Sequence, residues 1–381
     1  MRRSGHIGWV VGMLVLAVAG CQTTVDLTED RIPDADLLSG EAILGEAITG
    51  AEHPDIDIVA INDDMREFVA DLREVPNKAQ RFWRLLQRMR GIGNEPSRYD
   101  AYANLTAQET FVEKRGNCLA FSSLFIALAR EAGFDARYQL VDIPPDYDSV
   151  DGMVVLNRHV NVRVDGVPGR SPVTIEFSRE YANSIHDRQV VDDRFARGLH
   201  YNNLAFSHAR AGDQHAALVY LRKALDETPE NPDLWTNLGV FYARHGQLDR
   251  AIAAFHRGLA LDGDHSPAIR GLASAHEALG QRANARFYQR RMEHSRIRDG
   301  YTYYILAQRA YRAEMTAESL ELVSEAIRLY RRDHRFHELQ GDIHDQLGDQ
   351  DAAKESYKRA RILARRYEMN PTEILGVQGP G

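Results

Sequence analysis

Residues 115–133 read Arg115-Gly116-Asn117-Cys118-Leu119-Ala120-Phe121-Ser122-Ser123-Leu124-Phe125-Ile126-Ala127-Leu128-Ala129-Arg130-Glu131-Ala132-Gly133. The spacing of Leu124, Phe125 and Leu128 predicts a helix over 117–132 with a buried side, and Gly133 supplies its stop. Beyond it the period changes. Ala136 to Val141, Val154 to Val164 and Val173 to Phe177 are rich in β-branched residues and bounded by Pro, Gly and Asp, which predicts strands. Upstream, 62–90 reads as two helices broken near Pro76: Phe68, Val69 and Leu72 face inward on the first, and Phe82, Leu85, Leu86 and Met89 on the second. A helix followed by antiparallel strands is an α+β pattern.

From residue 198 the texture repeats every 34 residues, in five units: 198–231, 232–265, 266–299, 300–333 and 334–367. The second is the clearest, with Trp235, Leu238, Gly239, Tyr242, Gly246, Ala251 and Phe255. The fifth carries Gly341, Gly348, Ala353, Tyr357 and Ala360 at the same phases. The first carries Leu204, Gly212, Ala217, Ala224 and Pro229. Units three and four depart at Gln289, Met292, Ala307 and Glu314 but keep the register. Small residues stand where paired helices cross and large apolar ones fill between pairs, so each unit needs its neighbour. This pattern closely resembles the tetratricopeptide repeat. His208, His276 and His344 share one repeat position, which makes them packing residues rather than a metal site.

The N-terminus adds a leader. Arg2 and Arg3 precede an apolar run from Ile7 to Ala19, too short to span comfortably as a mature helix. Val18-Ala19-Gly20-Cys21 resembles the lipobox of bacterial lipoproteins, which implies diacylglycerol on Cys21 and cleavage just before it. Signal peptide 1–20 is then removed, and the acyl chains keep the protein on a membrane. Gln22 stands where inner-membrane retention of enterobacterial lipoproteins would want Asp, so this resemblance implies the outer membrane, facing the periplasm. Without Arg2 and Arg3 the formal charge moves from −8 to −10, which speaks against nucleic acid as a partner. Residues 22–60 hold ten acids against one Arg; their first part reads as a solvated tether within a lipidated, acidic 21–60 segment.

The chain has two cysteines. With Cys21 lipidated, Cys118 is a lone thiol in an oxidising compartment, either buried and inert or kept for its reactivity. It opens a predicted helix, where unpaired N–H groups and the dipole favour an anion. A thiolate needs a base and a group to hold that base. His159, in Arg158-His159-Val160-Asn161, and Glu176, in Thr174-Ile175-Glu176-Phe177, fall side by side on one face if their strands form a hairpin through 165–170. That is Cys–His–carboxylate logic. Asp146, Asp148, Asp151 and Gly152 loosely suggest a calcium loop, but the third acid comes one residue late, so a solvated loop is the reading. Arg282, Arg286 and Arg290 form a solvated helix stripe. No His spacing suits a metal, and no cofactor is called for.

The stretch from Arg115 to Arg137 is similar to the core of the transglutaminase-like superfamily, in which Gly-x-Cys starts a helix that ends in a small-Gly-x-x-Ala-Arg turn. The resemblance implies a papain-like, transglutaminase-like α+β domain over 61–190. It matches His159 to the family's His and Glu176 to an acid that is usually Asp. Two departures stand out. Glu is one methylene longer than Asp, and Leu119 stands where eukaryotic cross-linking enzymes place Trp. The expected architecture is this domain, an all-α solenoid of five repeats over 198–367 and a tail over 368–381. The expected function is a lipid-anchored envelope cysteine hydrolase, a peptidase or amidase, with Cys118, His159 and Glu176 catalytic. Its repeat groove docks a protein or peptide. The alternative is a non-catalytic scaffold for an envelope complex, and peptidoglycan is a minor option as substrate.

Overall fold

The structure is a computed structural model that describes residues 32–48, 53–90, 98–150, 153–169, 172–177, 188–296, 300–331, 333–368 and 372–374. Two short helices, α1 (Asp34–Ser39) and α2 (Glu41–Leu44), precede α3 (Asp63–Val69) and α4 (Lys78–Arg90). Strand β1 (Arg98–Tyr99), helix α5 (Ala107–Glu113) and strand β2 (Arg115–Gly116) lead into α6 (Cys118–Glu131). Then come β3 (Asp135–Val150), β4 (Met153–Asp165), β5 (Val173–Glu176) and β6 (Arg188–Val191). The sheet runs β6-β3-β4-β5, and a last strand, β7 (Thr372–Ile374), is added beyond β5. All neighbours are antiparallel except β5 and β7, which run parallel.

Helix α6 lies at the centre of this domain. It packs on β3 and β4 and is covered by α3 and α5. Leu119 to Ala129 are therefore buried all round, not along a single side, as befits a helix apolar on every face. Phe121 stacks on Phe177 at 5.9 Å between ring centres, which fixes the helix over the end of β5.

The repeats follow as α7 (Asp193–Ala211), α8 (Gln214–Glu227), α9 (Pro232–Arg244), α10 (Leu248–Leu261), α11 (Ser266–Ala278), α12 (Arg282–Arg296), α13 (Gly300–Arg312), α14 (Thr316–Leu329), α15 (His334–Leu347) and α16 (Gln350–Glu368). The second helices of the pairs start at 214, 248, 282, 316 and 350, a strict 34-residue step. The crossing inside a pair explains the small residues. A Cβ on Gly239 would sit 2.6 Å from the Phe255 ring, and one on Gly341 would sit 2.5 Å from the Tyr357 ring, the same contact three repeats later. His208 and His276 stack on Tyr220 and Tyr288, as expected of packing residues.

Three expectations are corrected. Over 32–48 and 53–60 the acidic segment is no solvated tether. Leu37, Ile48 and Ile58 are buried. Asp34 pairs with Arg257 at 2.5 Å and Asp55 with Lys223 at 2.6 Å. Tyr242 donates to the Leu37 carbonyl at 2.6 Å, and Arg222 to that of Ile48 at 2.9 Å. The acids meet basic groups of the first two repeats, and a few spaced apolar residues anchor the strap between them. Next, Asp146 and Asp148 are not in a loop. They lie within β3, paired with Asn157 and Val155, in a hairpin that runs on past His159; Asp151 and Gly152 are outside the described residues. Last, the 368–381 tail contains β7, whose residues Thr372 and Ile374 pair with Thr174 and Glu176.

Candidate active site

The site is built at the start of α6. Asn117 is extended, and its Oδ1 accepts the Ala120 N–H at 3.0 Å, which caps the helix and leaves Cys118 as its first residue. Gly116 is needed just before it, since a Cβ there would lie 2.7 Å from the Ala120 Cβ. Cys118 is a free, half-buried thiol. Strand β1 pairs Tyr99 with Gly116, and this brings the Tyr99 hydroxyl to 3.8 Å from Cys118 Sγ.

The β4–β5 register pairs Val162 with Ile175 and Arg163 with Thr174. One step further it sets Glu176 opposite Asn161, with His159 two residues along on the same face. His159 Nε2 lies 2.9 Å from Glu176 Oε2, with the two residues 5% and 1% exposed. The β3–β4 ladder shifts register between Val141 and Asp146, beside His159, where an irregularity re-aims a side chain. His159 also hydrogen-bonds Cys118. Burial alone would pull the ring below its ordinary value. The charge and hydrogen bond of Cys118, followed by those of Glu176, outweigh burial and push it up to about 10. The ring thus lies between the Cys118 side chain and the Glu176 carboxylate, and both raise its affinity for a proton.

The three residues singled out from the sequence thus meet in space. Sequence reading passed over two of their neighbours. Asn161 Nδ2 donates to Glu176 Oε2 at 3.0 Å, while Glu176 Oε1 accepts the Phe177 N–H at 2.8 Å. Asn161 is two residues from His159 on a strand, a spacing that places it on the same face from sequence alone. Tyr99 gave no comparable signal, because a two-residue strand has no period. Cys21 and its leader lie outside the described residues. Among the described residues, no group of three or more His, Cys, Asp or Glu is arranged to hold a metal, and no helix is long and apolar enough to cross a membrane.

Comparison with known proteins agrees with this geometry. The family model "Transglutaminase-like superfamily" matches residues 65–164, and two tetratricopeptide-repeat models match 208–275 and 334–360. The chain carries a transglutaminase-like domain fused to tetratricopeptide repeats. The transglutaminase-like match takes in Cys118 and His159 and ends before Glu176, so the acid rests on the register described above. The repeats make the second half a protein-interaction region. Among curated proteins, Superkiller protein 3 of Schizosaccharomyces pombe is 35% identical over 65 residues, 17% of this chain and 5% of that protein. Photosystem I assembly protein Ycf3 of Cyanophora paradoxa is 29% identical over 86 residues, 21% of this chain and 50% of that protein. The matches therefore span one-twentieth and one half of those relatives. Among solved structures, MamA from Desulfovibrio magneticus RS-1 is 21% identical, with 44% of this chain and 96% of that chain covered and a TM-score of 0.25. Another MamA crystal structure covers 43% and 96% at 20% identity and 0.24. Scores this low do not bear on the fold.

Proposed function

We propose that this protein is a cysteine hydrolase of transglutaminase-like type that cleaves an amide or peptide bond. Its repeats hold the protein substrate or a partner, and its lipidated Cys21 keeps it in a bacterial envelope, at the outer membrane facing the periplasm. The observation that carries the reading is the line from half-buried Cys118 through buried His159 to buried Glu176, with 2.9 Å between His159 Nε2 and Glu176 Oε2. Cys118 Sγ attacks the carbonyl carbon, and the carbonyl electron pair moves to oxygen. The Cys118 N–H, one of the unpaired donors of a helix first turn, holds that oxyanion. The Tyr99 hydroxyl is near enough to serve as a second donor. When the tetrahedral intermediate collapses, the C–N bond breaks and the amine leaves with a proton from His159. His159 then takes a proton from water, whose oxygen attacks the thioester. The acid is released, and Cys118 and His159 return to their starting pair. An amine in place of water would give cross-linking; water is the simpler acceptor.

The test is alkylation of Cys118 by iodoacetamide at neutral pH, located by mass spectrometry of the Cys118 peptide. The wild-type chain is expected to label quickly, and His159→Ala about a hundredfold more slowly. Equal rates would leave a non-catalytic scaffold. Anchoring is checked separately: radiolabelled palmitate should enter the wild-type protein in bacteria and not Cys21→Ala.

A further inference from the structure

Glu176 is held by more than the ring it is read as orienting. Its Oε2 accepts from Asn161 Nδ2 at 3.0 Å as well as meeting His159 Nε2 at 2.9 Å, and its Oε1 accepts from the Phe177 N–H at 2.8 Å. Asn161 is fully buried, and its Oδ1 has no hydrogen-bond partner among the described residues. A buried orphan acceptor works against folding, and an apolar side chain like those of Val160, Val162 and Val164 would avoid it. The amide is not simply turned the wrong way, since a flip would set Oδ1 against the carboxylate. A residue kept at a cost to stability, beside a buried acid, is what a functional constraint leaves behind. A Glu carboxylate is carried on three rotatable bonds, so it needs an extra tie to stay in register with the ring. The nearby cations have other partners: Arg163 pairs with Asp165, and Arg188 donates to Thr174.

We propose that Asn161 is a positioning residue: its amide N–H fixes Glu176 Oε2 against His159 Nε2, and so holds the imidazole in line with Cys118. This rests on the cysteine-hydrolase reading above. It assigns Asn161 no contact with substrate; the side chain acts only through the acid.

The experiment follows the rate of iodoacetamide alkylation of Cys118 in the full chain from about pH 4 to about pH 10. Asn161→Leu keeps the branched shape, removes the donor and removes the orphan acceptor. Its acid limb is expected to move up by about one pH unit, so that labelling on that limb is about tenfold slower. A merely structural amide predicts a lower thermal midpoint and an unmoved limb. Asn161→Ala, which cannot clash, should show the same shift. In a Glu176→Gln background, Asn161→Leu should add nothing. A wild-type profile in both variants, or an equally large shift in the Glu176→Gln background, overturns the proposal. If wild-type labelling is indifferent to His159→Ala, the hydrolase reading and this proposal fall together. If it depends on His159 while the Asn161 profiles stay put, only this proposal falls.

Discussion

Burial by itself would discharge His159; its contacts with Cys118 and then with Glu176 act the other way and raise its value. The sign of the pH dependence follows. The folded value, about 10, lies above the ordinary one of 6.5. The stability conferred by this charge is therefore fully present below about pH 6.5 and is lost as pH rises through about 10. Glu176→Gln removes the carboxylate beside the ring. NMR titration of the His159 ring should then place its midpoint lower than in wild type, and a wild-type ring that already titrates near its ordinary value would show that the charged pair does not form. Of these groups, Cys118, His159 and Glu176 were legible in the sequence because each stands in a patterned segment. What was not legible was the Asn161–Glu176 contact, because it joins β4 to β5 and only the register reveals it.

At the scale of elements, α6 was readable at both ends. Asn117 caps its start and Gly133, at φ 86°, ends it. Helix α5 was equally open to reading and was passed over: Thr106-x-x-Glu109 forms a capping box in the structure. Strands β1, β2 and β6 are too short to carry a period. What none of these patterns could reveal is the polar chain that ties the cap of α6 to the repeats. Asn117 Nδ2 donates to Asn104 Oδ1 at 2.8 Å, and Asn104 Nδ2 donates to Ser207 Oγ at 2.9 Å and to the Asn203 carbonyl at 3.2 Å, both on α7. Arg130, near the other end of α6, forks onto Asp193 at the start of α7, at 2.5 and 2.8 Å. The helix that carries the thiol is thus fastened at both ends to the first helix of the array. Asn104→Ala breaks three of these bonds and leaves part-buried partners unpaired. It should lower the unfolding free energy by about 1–3 kcal/mol in urea. It should also slow Cys118 alkylation, since the cap loses its anchor; unchanged values of both would mean that α6 and α7 are not coupled through Asn104.

Over the whole molecule, both ends of the described chain fold back on its middle. Strand β7 comes after the fifth repeat and yet pairs with β5, the strand of Glu176. The strap of α1 and α2 lies on the first two repeats, ahead of the α+β domain in sequence and beyond it in contacts. Composition misled here: ten acids in 22–60 look like solvated chain, because single apolar residues among charges leave no periodic trace. A solenoid is stable as a sum of neighbouring interfaces, and its first unit lacks one neighbour. The strap lies across the first two units and adds buried contacts to them. Leu37 is fully buried against this part of the array, and its own carbonyl accepts from Tyr242 of the second repeat. Leu37→Ala should therefore destabilise the first two repeats by about 2–5 kcal/mol. Hydrogen exchange should show faster exchange in α8 and α9, while α14 to α16 remain as in wild type, because coupling passes only from unit to unit. Protection lost evenly along all five repeats would mean that the array unfolds as one block, and protection unchanged in α8 and α9 would mean that the strap is no part of its stability.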